Sequence, residues 1–207
     1  MSDLKFRAAL SADHIQGAHL VMETLHQFGV YLFGFGQKER ADQAIQRFFR
    51  LTGNRFSHQF AEFALVENEI AGLLMTFDQC QMRRSMATTA LHMLKMYKPG
   101  EVGRFLKRIL PYRKEENIPK DELYIAHLAV EEKFRRRGFG LQMLAHAEEK
   151  ARERGLPKLS LLTEIENTSA RALNKKFGFK LTDTILFPEQ MPDVGSAGDV
   201  RMVKLLF

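Results

Sequence analysis

The sequence predicts a mixed α/β fold in one domain, residues 1–207, and three observations carry that prediction. Runs with strand-like alternation or short unbroken apolarity recur along the chain, and runs with helical spacing separate them. Their order is strand, two helices, hairpin, two more helices, strand, helix, strand, helix, strand, strand, which asks for α and β layers around one mixed sheet. At 207 residues with 45% hydrophobic content, the chain can bury one sizeable core.

LKFRAAL (residues 4–10) alternates well enough for an opening strand. SADHIQGAHLVMETLHQF follows, with a cap-like Ser11 and Ile15, His19, Met22 and Leu25 at helical spacing. Gly34 and Gly36 interrupt the chain before KERADQAIQRFFRL, where Ala44, Phe48 and Leu51 form a stripe that TGN ends. AEFALVENEIAGLLMTF (61–77) holds two strand-like runs around the polar ENE, a hairpin signal. Residues 80–110 change character: CQMRRSMATTALHMLKMY and EVGRFLKRIL read as two helices split by Pro99 and Gly100, a helical insertion over about 80–118. After the charged loop YRKEENIPKDE, LYIAHLAV (123–130) is a buried-strand candidate. The helix from Gly140 carries Leu141, Leu144, Ala147 and Ala151 on one face until Gly155. LSLLT is a further strand and NTSARALNKKF a short helix; GFKLTDTIL and DVRMVKLLF close the chain as strands around the loop PEQMPDVGSAG.

Composition narrows the function classes. Cys80 is the only cysteine, which excludes an intrachain disulfide and a cysteine-based zinc cage. The histidines lack a metal-ligand spacing such as H-E-x-x-H, so no metal is expected. FGVYLFGFG is too short to span a bilayer and MSDLKFRAAL lacks the order of a signal peptide, so a cytoplasmic protein without membrane attachment is expected. A formal charge of +6 suits a phosphate-bearing ligand, a nucleic acid or an acidic partner. Nucleic acid is disfavoured, because no helix-turn-helix signature, aromatic RNA motif or basic tail is present. The methionines of residues 75–96 read as core filler, or as an adaptable pocket wall.

The stretch EKFRRRGFGLQML (132–144) sets four cations and two glycines between the 123–130 strand and a helix. Cations beside a turn are commonly only a solvated edge. Glycines there also let an anion approach several bared N–H groups at a helix start, where the helix dipole and fork-shaped arginines add positive potential. That geometry suits a pyrophosphate. A dinucleotide fingerprint fails, because Met143 stands where the third glycine belongs, and no P-loop occurs.

These residues resemble the GNAT superfamily of acyl-CoA-dependent N-acetyltransferases. Its motif R/Q-x-x-G-x-G/A is similar to Arg135-Arg136-Arg137-Gly138-Phe139-Gly140 after HLAV, and its motif N-x-x-A-x-x-L-Y-x-K-x-G-F is similar to NTSARALNKKFGF (167–179), with Asn174 in place of the tyrosine. The resemblance, strongest over residues 121–184, implies a mostly antiparallel mixed sheet splayed at its middle, with helices on both faces and the helical insertion before the central strand. It implies acetyl-CoA as acyl donor and an amine acceptor. The amides of Arg136, Arg137, Gly138, Phe139, Gly140 and Leu141 would bind the pyrophosphate, with the side chains of Arg135, Arg136 and Arg137 near it. Backbone groups of Leu128, Ala129 and Val130 would pair with the pantetheine arm, and Asn167 would contact the arm or fix the helix that does. Tyr124 is the first candidate to touch the acceptor amine. Glu122 or a water chain is the expected base, with His127 and Glu164 behind it, and Asn174 would hydrogen-bond the leaving sulfur. Regular alternation sets Tyr124 and His127 on opposite faces, a parity that a bulge would break. The function expected is transfer of an acetyl group to a primary amine of a small molecule or peptide by direct attack; a catalytically silent acyl-CoA-binding regulator is the alternative. A homodimer is left open.

Overall fold

A computed structural model of the chain describes residues 4–110, 118–187 and 194–207. Most of the charged loop before residue 123 and of PEQMPDVGSAG falls outside the described residues, as does the end of the expected insertion. Strands β1 (Lys5–Ala8), β2 (Ala61–Val66), β3 (Glu69–Phe77), β4 (Glu122–Val130), β5 (Lys158–Glu164), β6 (Lys180–Leu186) and β7 (Gly198–Leu205) form one sheet in the order β1-β2-β3-β4-β5-β7-β6. Every neighbouring pair is antiparallel except β4–β5. The ENE signal is the β2–β3 turn, where Glu67 and Asn68 both take positive φ, at 51° and 70°. Turns of that hand match the twist of the strands they join.

Helices α1 (His14–Phe33), α2 (Lys38–Arg50), α3 (Gln79–Met96) and α4 (Pro99–Ile109) lie on one face, and α5 (Phe139–Glu153) and α6 (Thr168–Phe177) on the other. β3 shows why both faces are needed: Leu73, Met75 and Phe77 enter the core under α1–α3, while Leu74 enters the core under α5. A strand buried on both sides reads as an unbroken apolar run, and EIAGLLMTF does. The helical stripes are equally direct. α2 buries Ala41, Ala44, Ile45, Phe48 and Phe49, and α5 buries Phe139, Met143, Leu144, Ala147 and Ala151. Burying the isoleucine, leucine, methionine and phenylalanine side chains among them contributes about 1.5–3 kcal/mol each before entropy is counted.

The insertion packs on the α1 face through Met82, Met93 and Tyr97, whose hydroxyl donates to the Phe33 carbonyl at 2.9 Å. Met82 and Met93 are therefore core filler. Phe33 meets Phe56 edge-on at 5.2 Å, so packing explains the aromatics before Gly34. Among the described residues no helix is long and apolar enough to cross a membrane.

Two irregularities in β4 shape the centre of the sheet. Its parallel pairing with β5 covers Glu122–Ile125 against Lys158–Leu161 and then stops, although both strands continue. The sheet is splayed there. On its other edge β4 carries an extra residue: Met75 pairs with His127 and Thr76 with Ile125, leaving Ala126 as a bulge. The bulge cancels the alternation, so Tyr124 and His127 both turn toward the α1 face instead of opposite ways.

Candidate active site

The link from β4 to α5 forms the first wall. A 3₁₀ turn at Glu132–Phe134 leads into Arg136 and Gly138, with φ of 60° and 83°. Phe134 and Phe139 are buried with their rings 6.1 Å apart, which pins both ends of the loop. Left-handed backbone at residue 138 is the reason glycine suits that position. Between these anchors the amides of Arg136, Arg137, Gly138, Phe139 and Gly140 have no backbone acceptor among the described residues. The Leu141 N–H, expected in the same set, donates instead to the Gly138 carbonyl at 3.1 Å. What results is a row of N–H donors at the positive end of a 15-residue helix, a cradle suited to phosphate oxygens.

The three arginines separate in role. Arg135 donates from Nε to the Val130 carbonyl at 2.9 Å and from its terminal nitrogen to Glu23 of α1 at 2.8 Å. Arg137 lies over the Phe134 ring, 5.6 Å from its centroid, and does not border the cleft. Arg136 does border it.

From this cradle a cleft of about 970 Å³ runs through the β4–β5 splay to the α1 face. Leu128, Ala129 and Val130 line it on the β4 side and Leu162, Thr163 and Glu164 on the β5 side. Beyond Ile125 the β4 backbone has no pairing with β5, so an extended chain entering the gap meets an open strand edge. α6 closes the floor. Asn167 caps it by accepting from the Ala170 N–H at 3.0 Å, which fixes the helix, and Gly140 lets α5 approach Leu173, where a Cβ would lie 3.0 Å from Leu173 Cδ2. Asn174, 5% exposed, donates from Nδ2 to Thr163 Oγ1 at 3.2 Å.

α1 spans the splay. Thr24 meets His127 of β4, with Oγ1 2.6 Å from Nδ1, and His26 meets Glu164 of β5 at 3.0 Å. At His26 the helix leaves helical geometry, with φ 47° and ψ −136°, a conformation that costs about 1–3 kcal/mol unless its surroundings hold it. The Thr24 hydroxyl also donates to the Val21 carbonyl at 2.7 Å. Its single proton is thus engaged, so His127 Nδ1 carries the hydrogen and donates to Oγ1. Nε2 is then a bare acceptor, buried without a hydrogen-bond partner. Burial, and next the Arg55 charge, hold His127 down to about 3, so it is neutral. Hydrogen bonding to Glu164 raises the His26 pKa against the opposing effect of burial.

The residue expected to touch the acceptor and the expected base fare differently. Tyr124 borders the cleft, half-buried, close enough to Arg55 to act on its charge. Glu122 does not border it: the residue is 2% exposed and ion-paired with Arg201 of β7. One acidic residue was not legible in the sequence. Asp199, at the start of β7, lies opposite Glu164 in the β5–β7 register and borders the cleft. Its only sequence-level signal is an acidic residue opening a closing strand. Among the described residues no cluster of three or more His, Cys, Asp or Glu is placed to hold a metal.

A family model described as "Acetyltransferase (GNAT) family" matches residues 31–179. An uncharacterized N-acetyltransferase of Bacillus subtilis, YycN, is 35% identical over 72 residues, covering 35% of this chain and 46% of that protein. The match thus spans under half of that relative's length. In fold the chain is similar to an N-acetyltransferase from Staphylococcus aureus, with a TM-score of 0.71, 21% identity and coverage of 96% of this chain and 99% of that one. It is also similar to the PaiA N-acetyltransferase of Thermoplasma acidophilum in complex with coenzyme A, with a TM-score of 0.54, 12% identity and coverage of 98% and 99%.

Proposed function

Because the chain belongs to the GNAT acetyltransferase family, we propose that it transfers an acetyl group from acetyl-CoA to a primary amine of a small molecule or peptide by direct attack. The observation that carries the reading is the cradle of uncommitted amides at the start of α5, opening onto the β4–β5 splay. The cradle suits a pyrophosphate, and the open edge at Leu128 and Ala129 suits the amide-bearing pantetheine arm. Val130 contributes less, since Arg135 already holds its carbonyl. The relative from T. acidophilum, solved with coenzyme A, supports the cofactor class.

Bound acetyl-CoA would supply an acetyl group activated as a thioester. The protein's contribution is to orient it, to hold the developing oxyanion by a main-chain N–H of β4, and to receive the proton of an ammonium that is mostly charged at neutral pH. Tyr124 and Asn174 both border the cleft, which supports giving Tyr124 the contact with the acceptor and the Asn174 amide a hydrogen bond to the departing sulfur, made without giving up a proton.

Saturating acetyl-CoA should raise the melting temperature, by the equivalent of about 2.7 kcal/mol at a hundredfold excess over Kd. Gly138→Glu should abolish that shift, while Gly138→Asn, which tolerates left-handed backbone, should keep part of it. Thiol release from acetyl-CoA across a panel of amines then tests transfer. A melting shift with no thiol release from any amine would favour the silent binder.

A further inference from the structure

Removal of the acceptor's proton still needs a group able to take it. Glu122 is closed off by Arg201, and His127, although its Nε2 is bare, takes a proton poorly because burial and then the Arg55 charge disfavour the imidazolium. Asp199 is placed differently. β7 enters the sheet at Gly198, and its register sets Asp199 opposite Glu164 of β5 and Ile185 of β6. Val200 and Met202 enter the core beneath α5 and α6, so alternation turns Asp199 and Arg201 to the α1 face, where Tyr124 also points.

Each charged neighbour there is engaged elsewhere. Glu164 is held by His26 at 3.0 Å, and Glu166, in the turn after β5, accepts from Ser196 Oγ at 2.6 Å and the Ala197 N–H at 3.0 Å. Arg201, further along β7, pairs with Glu122 and lies opposite Asp183 of β6. The Asp199 carboxylate is half-buried and has no hydrogen bond or ion pair to another side chain among the described residues.

We propose that Asp199 is the catalytic residue that takes the proton from the acceptor's ammonium, an inference that rests on the acetyl-transfer reading. One ammonium proton passes to the carboxylate, and the freed lone pair forms the N–C bond to the acetyl carbon of acetyl-CoA. The C–S bond breaks with its electron pair going to sulfur. The second proton leaves nitrogen as the amide forms and completes the thiol, so nothing is oxidised or reduced. Burial first, then the charges of Glu164 and Glu166, push the Asp199 carboxyl up to about 6. A carboxylate so displaced is a stronger base than an ordinary one and is still ionised at neutral pH.

The test is the pH dependence of acetylation between pH 5 and 9, using whichever amine gives wild-type thiol release. The wild type should show an acid limb in kcat/KM near pH 6. Asp199→Asn should lose about 10²–10⁴-fold in kcat and lose that limb, with the KM for acetyl-CoA unchanged, and Asp199→Glu should restore part of the rate. Should Asp199→Asn fail to give an acetyl-CoA melting shift, Asp199→Ser reads the same limb. An Asp199→Asn enzyme within tenfold of wild type and with the same acid limb overturns the inference and leaves acetyl transfer standing. No thiol release by the wild type with any amine overturns acetyl transfer and this inference with it.

Discussion

Asn174 donates to Thr163 Oγ1 from a buried position on α6 that also borders the cleft, so its loss is felt in two ways. Asn174→Ala removes the donor and leaves a small void, costing about 1–2 kcal/mol of stability. If the amide also steadies the departing sulfur, kcat should fall by up to roughly tenfold, about 1.4 kcal/mol, with the KM for acetyl-CoA little changed. Steady-state kinetics beside a thermal melt separates the two effects, and a loss above a hundredfold would give Asn174 a larger part. Asn174→Tyr places a ring at a site only 5% exposed, where overpacking costs about 1–3 kcal/mol. Residues differ in how far the sequence reveals them. Gly138 is visible because a turn before a helix needs left-handed backbone, a local requirement. Asp199 and the Glu122–Arg201 pair are not, since each depends on which strand β7 lies beside.

Between elements, α5 is fixed to the sheet by more than its apolar stripe. Lys150 and His146 both reach Glu62 of β2, His146 Nε2 at 3.4 Å. Burial alone would raise the Glu62 carboxyl, but hydrogen bonds from His146 and Lys150 outweigh it and bring it down to about 2. A depressed carboxyl stabilises the fold fully above its unfolded value and loses that contribution as pH falls through the folded one. Glu62→Gln should therefore cost about 1–2 kcal/mol at pH 7, a figure reduced because the carboxylate is partly exposed. Urea unfolding at pH 7 and pH 3 checks this: the gap between wild type and variant should shrink by more than half at the lower pH. An equal gap at both would assign the loss to packing. The elements themselves were legible because 3.6- and 2-residue periods are local. The Ala126 bulge was not, because a single extra alanine in an apolar run carries no compositional mark. Strand order is not local either, and β7 lies between β5 and β6 although it follows both in the chain.

For the molecule as a whole, the cleft concentrates groups whose protonation differs between folded and unfolded chains, and their signs oppose one another. His127, held down to about 3 by burial and then by Arg55, contributes stability that is complete above its unfolded value of about 6.5 and is lost as pH falls from there toward 3. Asp199, pushed up to about 6 by burial and then by Glu164 and Glu166, behaves inversely. The folded chain holds that proton more tightly than the unfolded one, so the carboxyl costs stability as pH rises from about 4 to 6, and the full cost persists above. A base kept in an unfavourable setting is a stability cost that function explains. Asp199→Asn should accordingly raise stability by about 1–3 kcal/mol at pH 8, a melting increase of a few degrees, while it lowers the acetylation rate. At pH 4, where the wild-type carboxyl is protonated in the folded state, the two proteins should melt together. Calorimetric melts at pH 4, 6 and 8 decide the matter. A gap that opens between pH 4 and 6 and then holds is the expected result, whereas coincident melts at all three would mean that the carboxyl sits in ordinary water-like surroundings, without the displacement that suits it to take a proton from an amine.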